Sequence, residues 1–130
     1  GNHTYHHLKG LSCCNDLYVQ DTNKAQSILQ TMSFRPPHGR MTSSQKKTLR
    51  DLGYTIYLWD VLTHDYNPRY DAAHMLSVIK RYTRNGSIIT LHDSIKSKDR
   101  MLQLLPMAIE WLLSEGYQLM PLPLNPNSEH

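Results

Sequence analysis

Cysteine is nearly missing: the sequence holds two, and they are neighbours, Cys13 and Cys14. Adjacent residues are poorly placed for an ordinary intrachain disulfide, and two thiols without companions make a poor zinc-finger site, so both read as packing or surface residues. Long apolar runs are missing too. Nothing approaches the roughly 18 apolar residues that a membrane helix needs, and no charged-then-apolar N-terminal stretch reads as a signal peptide. Concentrated charge is a third absence. The formal net charge is +3, but the lysines and arginines are scattered, without the basic stripe and interleaved aromatics of a nucleic-acid surface. Internal repeats and low-complexity tracts do not occur. What remains is 130 residues, 39% hydrophobic and 19% charged, enough for one domain with one modest core. The unusual item is histidine, with eight copies.

Four short apolar runs read as strands: 32–35, 54–59, 87–91 and 117–122. Helical patterns lie around them. One covers about 21–30. A second starts at a Ser43 or Ser44 cap and runs to about Leu52, where Gly53 supplies the stop. A third, 68–84, carries Ala72, Met75, Leu76 and Ile79 on one face and ends at Asn85-Gly86. A fourth, 99–114, has a stripe of Leu102, Leu105, Ile109, Leu112 and Leu113, with Pro106 expected to kink or restart it. Strand and helix alternating in this way are the pattern of βαβ units and a parallel sheet, and the run Ile88–Leu91 has the continuous look of a strand buried on both faces. Four strands are too few for a closed parallel barrel.

In parallel α/β folds the functional groups sit on loops leaving the C-terminal ends of strands. Arg35 closes the first expected strand, Trp59 and Asp60 close the second with Asp65 beyond, and His92 and Asp93 close the third. Three successive units therefore present titratable groups on one rim. The N-terminal stretch GNHTYHHLKG adds His3, His6 and His7; histidines three or four residues apart can both reach one metal ion, although a catalytic zinc needs about three protein donors. In FRPPHGR, residues 34–40, the prolines fix the backbone as it leaves the strand and Gly39 permits a turn that other residues resist.

Taken together, NHTYHH, FRPPHG, WDVLTHDY and IITLHDS, in this order and at these separations, resemble the motifs of the polysaccharide deacetylases of the NodB-homology, carbohydrate-esterase type. The similarity runs from residue 2 to about residue 122, ending with EGYQL. It implies an α/β fold, a partial, incompletely closed (β/α) barrel whose first strands are missing, over 1–122, followed by an irregular tail at 123–130. It also implies removal of acetyl groups from an N- or O-acetylated polysaccharide, and a divalent metal, most often zinc. By the resemblance His3 and His7 are the histidine metal ligands, with Thr4 stabilising their loop. Arg35 orients the catalytic base, and Pro37 and His38 contact substrate, the backbone N–H of His38 helping to hold the oxyanion. Trp59 lines the groove, Leu91 walls the methyl pocket, and His92 is the general acid, oriented by Asp65. A cell-envelope or secreted location is suggested by the family alone.

The family pattern begins with a strand ending in an Asp-Asp motif that supplies the base and the third metal ligand, and no such pair occurs in the sequence. The expectation is a C-terminal portion of a deacetylase, inactive by itself, binding metal weakly, and associating with itself through an uncovered barrel edge. His38 stands where the family usually has Tyr, and Tyr66 where Trp often follows the aspartate. A non-catalytic glycan-binding module, keeping Trp59, Tyr66 and Trp111 as its groove, is the second reading. A small open-sheet α/β protein with incidental histidines is the third.

Overall fold

The computed structural model describes residues 1–123. Its chain forms two compact units. The first comprises Gly1–Leu58 together with Leu122 and Pro123, and the second is Trp59–Pro121.

In the first unit, helix α1 (Asn15–Leu29) is followed by strand β1 (Ser33–Phe34), helix α2 (Ser43–Asp51) and strand β2 (Thr55–Ile56). The strands pair in parallel, Ser33 with Thr55 and Phe34 with Ile56, and Asn2 adds a parallel bridge to Phe34. Helix α1 buries Tyr18, Asp21, Thr22 and Ala25, which recur at the three- and four-residue spacing of one helix face. It stops where Gln30 enters the left-handed region with φ 50° and returns its N–H to Gln26. Helix α2 starts at a reciprocal cap: the Thr42 hydroxyl accepts from Gln45 N–H, and the Gln45 side chain accepts from Thr42 N–H. Tyr18, Phe34, Leu49 and Tyr54 form the core, with Phe34 edge-on to both tyrosines at ring distances of 6.2 Å. Each such side chain contributes about 1.5–3 kcal/mol by leaving water.

The second unit contains strand β3 (Val61–Leu62), helix α3 (Ala72–Tyr82), strand β4 (Ile89–Thr90) and helix α4 (Lys98–Ser114). Strands β3 and β4 are parallel, with Val61 opposite Ile89 and Leu62 opposite Thr90. Val61, Met75, Ile79, Leu104, Ala108 and Leu112 make the core between this sheet and its helices. Asp71 caps α3 by accepting from His74 N–H at 2.8 Å, which starts the helix later than residue 68.

Several expectations are corrected. Among the described residues the parallel pairing is kept but divided into two two-stranded sheets, one in each unit. Val61–Leu62 is a strand that the apolar pattern did not isolate, because it is two residues long and sits inside the polar stretch WDVLTHD. No strand forms over 117–121: Tyr117 turns its N–H back to the Leu112 carbonyl and its hydroxyl to Thr83, and Leu119 and Met120 are exposed. Helix α1 begins at Asn15 rather than 21, and Thr42, not Ser43 or Ser44, is the cap of α2. Pro106 lies inside one continuous α4 and does not restart it. The buried face of that helix is Leu104, Ala108 and Leu112, while Leu102, Leu105, Ile109 and Leu113 face water. In the run Ile88–Leu91 only Thr90 is fully buried. Of the expected tail, 123–130, all but Pro123 lies outside the described residues.

Candidate active site

The first unit builds a histidine loop. Asn2 anchors it to β1 through its own N–H to the Ser33 carbonyl, 2.7 Å, and its carbonyl to Arg35 N–H, 2.9 Å. The completely buried Asn2 side chain donates to the Thr22 carbonyl and accepts from Thr4 N–H, and the Thr4 hydroxyl accepts from Leu8 N–H at 2.9 Å. These bonds hold Thr4 and His7 in the left-handed region, φ 58° and 55°, where non-glycine residues are uncommon. The rings of His3 and His7 meet edge to face with centroids 4.9 Å apart, and His38 reaches His7 at 5.1 Å.

His3 is half-buried and donates its Nδ1–H to the Arg35 carbonyl at 2.6 Å, leaving Nε2 as the nitrogen with a free lone pair. Burial lowers its pKa below the ordinary 6.5; the hydrogen bond to Arg35 opposes this, and the charges of Arg35, His7 and His38 add to it. A neutral imidazole with its second nitrogen tied to a carbonyl is the state in which histidine binds metals. The turn that follows β1 is closed by Gly39 N–H to the Pro36 carbonyl and Arg40 N–H to that of Pro37. His38 and Gly39 both have positive φ, 58° and 68°, Pro37 is buried, and His38 is exposed. The left-handed pair explains why this turn follows two prolines with a glycine.

The second unit builds a carboxylate–histidine pair. Asp65 is completely buried and receives His92 twice: its Oδ2 accepts the backbone N–H at 2.5 Å and its Oδ1 accepts the ring Nδ1–H at 2.7 Å. The His92 side chain keeps 39% exposure, and the Tyr66 ring packs edge to face against it. Behind it, Ser97 donates its hydroxyl to the His92 carbonyl at 3.0 Å. Leu91 is half-buried against the unit's core, and Trp59 is half-buried at the unit's first residue. Asp60, which closes the expected second strand, instead pins β4: its side chain accepts from Ile88 N–H and its own N–H bonds the Ile88 carbonyl.

The structure thus brings His3, His7, His38 and the Arg35 backbone together in one unit, and Asp65, His92 and Tyr66 together in the other. Two supporting residues escaped the sequence reading. Asp21 is buried on α1 and holds His6 in the same two-point way, through the backbone N–H at 2.8 Å and ring Nδ1 at 2.5 Å. Burial pushes the Asp21 carboxyl up, but the backbone and ring hydrogen bonds and charge of His6 outweigh it, and its pKa ends below the ordinary value. The signal was present: an aspartate on the apolar face of a helix needs a buried partner. Asn2 left no comparable trace, since its role depends on a bridge between distant segments.

For a metal, the donor set fits in part. His3 offers an imidazole whose tautomer the Arg35 carbonyl fixes, His7 stands beside it, and among the described residues no group of three His, Cys, Asp or Glu side chains is assembled that could hold an ion. Two donors fall short of the three that a catalytic zinc takes.

No protein-family model matches the chain. Among curated proteins it is 26% identical over 128 residues to a peptidoglycan-N-acetylglucosamine deacetylase of Bacillus cereus, covering 91% of this chain and 58% of that protein. It is 28% identical over 98 residues to a bifunctional xylanase/xylan deacetylase of Cellvibrio japonicus, covering 71% of this chain and 14% of that one. Among solved structures, the Bc1960 peptidoglycan N-acetylglucosamine deacetylase superimposes with a TM-score of 0.89 at 25% identity, over 95% of this chain and 60% of that chain. BA3943, a pseudoenzyme of carbohydrate esterase family 4 from Bacillus anthracis, gives 0.76 at 24% identity, over 91% of this chain and 42% of that one.

The fold is therefore the α/β fold of the NodB-type deacetylases, over part of their length. The homologues and structural neighbours of this chain are carbohydrate esterase family 4 polysaccharide and peptidoglycan deacetylases, the family that its motifs resemble. The chain spans less than two thirds of the length of these curated relatives.

Proposed function

We propose that this chain carries part of the machinery of a metal-dependent hydrolase that removes acetyl groups from an acetylated polysaccharide. The observation that supports it most is the grip of buried Asp65 on His92. A general acid must deliver a proton to the departing amine or alcohol from a fixed position, and it must recover its charged form afterwards. Asp65 fixes the ring through Nδ1 and leaves the second nitrogen for substrate, the orienting role that a buried aspartate plays for histidine in acyl transfer.

The remaining roles follow the motifs. His3 and His7 would hold a divalent metal, most simply zinc, with the His3 tautomer set by the Arg35 carbonyl. A metal so held supplies Lewis acidity and a lowered water pKa. Pro37 and His38 shape a rigid turn whose backbone N–H serves the oxyanion. Trp59 and Leu91 contact the substrate and its acetyl methyl. Arg35 brings a permanent cation to the base. These 130 residues contain no Asp-Asp pair, so the base and the third ligand are not among them. The chain alone should therefore bind zinc weakly and turn over little or no substrate. We also read the exposed apolar stripe of α4 as a surface that a second copy covers.

A second reading is a non-catalytic glycan-binding module. Its support is the two-donor metal set and the presence of a pseudoenzyme among the structural relatives. Zinc titration and acetate release from an N-acetylglucosamine oligomer separate the two. The hydrolase reading expects turnover once an Asp-Asp segment is supplied from a relative; glycan binding without turnover under that condition favours the module.

A further inference from the structure

From His92 a continuous row of aromatic rings runs along the loop after β3 and onto the first turn of α3. The Tyr66 ring meets the His92 ring edge to face at 5.2 Å. His64 meets Tyr66 at 5.7 Å, its Nδ1 hydrogen-bonded to the Tyr66 hydroxyl at 2.8 Å. Tyr70 lies 6.1 Å from His64, and His74 stacks on Tyr70 at 4.3 Å with the planes 15° apart. His64, Tyr66 and His74 are exposed, so the row is a surface and not a core.

The row is also built to stay in place. Arg100 of α4 donates through one guanidinium nitrogen to the carbonyls of both Asn67 and Tyr70, tying the loop to a helix. Asn67 closes the turn from within, its N–H going to the His64 carbonyl at 2.8 Å and its side chain accepting from Arg69 N–H. His64 itself sits at φ 56°, a left-handed conformation that the surrounding bonds must sustain in a non-glycine residue. Aromatic rings at the surface of a loop that Arg100 ties to α4 at two carbonyls are poor candidates for incidental surface. They suit a ligand that offers apolar faces flanked by hydroxyls, because rings contribute contact area at low entropic cost and histidine and tyrosine add hydrogen bonds at their edges.

We propose that His64, Tyr70 and His74 form an extended subsite that binds further pyranose units of a polysaccharide, beyond the unit held at Tyr66 and His92. The proposal rests on the deacetylase reading for its starting point at His92. Pyranose rings present C–H faces that stack on aromatic rings, and the row offers several such rings in succession. A single acetylated sugar would not need such a row; a chain would.

The test is calorimetric titration of the 130-residue chain with N-acetylglucosamine oligomers from two to five units, repeated with β-1,4-linked glucose oligomers. Wild type should bind longer oligomers more tightly. His74→Ala and His64→Asn, the latter keeping a residue tolerant of positive φ, should each weaken pentamer binding about fivefold and flatten the length dependence. His74→Phe should restore it. Affinity that does not rise with length, no binding to any oligomer, or variants that titrate like wild type would each overturn the subsite. Failure of the underlying reading looks different: length-dependent binding of glucose oligomers, lost in His74→Ala, with no preference for acetylated chains, leaves the subsite standing and removes the deacetylase assignment.

Discussion

Asp65 holds His92 at two points, one oxygen on the backbone N–H and the other on the ring, while itself being completely buried. A buried carboxylate with both oxygens engaged is costly to remove. Asp65→Ala leaves a backbone N–H without its acceptor and should cost about 1–3 kcal/mol in chemical denaturation, with Asp65→Asn costing less because one acceptor survives. Equal stability of all three proteins would contradict this arrangement.

Asp21 and His6 repeat the device at the base of the histidine loop, and here pH gives a second handle. The Asp21 pKa lies below its ordinary 3.8 in the folded chain, so between the two values the unfolded chain binds more protons. Its contribution to stability is complete above about 3.8 and is lost as pH falls through the folded value. Asp21→Asn should therefore be less stable than wild type by about 1–3 kcal/mol at pH 7, the gap closing as pH drops below 3.8. A gap that stays constant with pH would show that the carboxylate charge is not what His6 needs.

Gly10 is a packing constraint of a different kind. A Cβ there would sit 2.7 Å from Gln45 Oε1 and 3.0 Å from both the Arg40 carbonyl oxygen and the Met41 Cα. Gln45 cannot swing away freely, since it is buried and donates to the Gly10 and Cys13 carbonyls while capping α2. Gly10→Ala should lower the thermal midpoint, with a cost of about 1–3 kcal/mol. An unchanged midpoint would mean that the Gln45 network yields at little cost.

The stripe of Leu102, Leu105, Ile109 and Leu113 faces water on α4 at helical spacing. Sedimentation should detect reversible association that rises with protein concentration, and Leu105→Lys with Leu113→Lys should abolish it. A monodisperse monomer at all concentrations would rule out the second copy as its cover.

Much of this arrangement was legible in the sequence wherever one local signal decided it. Ala72, Met75 and Ile79 lie on one face because α3 is amphipathic at ordinary helical spacing, and the turn at Pro36–Gly39 follows from residues with restricted or permissive φ. The motifs carried the pairing of Asp65 with His92. What the sequence concealed depended on contacts between distant segments. The outward stripe of α4 looks like a core face until Leu104, Ala108 and Leu112 are seen to be buried instead. The run 117–122 has strand composition, but over 117–121 Tyr117 bonds back to Leu112 and Thr83 and no strand forms. The buried roles of Asn2 and Asp21 arise only when the N-terminal loop packs on α1.

The most direct measurement is the rate of acetate release from an N-acetylglucosamine pentamer. It compares two folded, zinc-loaded proteins in which a segment carrying an Asp-Asp motif precedes this chain, one with His92 and one with His92→Ala. The expected result is measurable turnover with His92 and a loss of about 10²–10⁴-fold without it. Equal rates, or no acetate from either protein despite bound zinc and bound oligomer, would contradict the assignment of His92 as the general acid of a deacetylase.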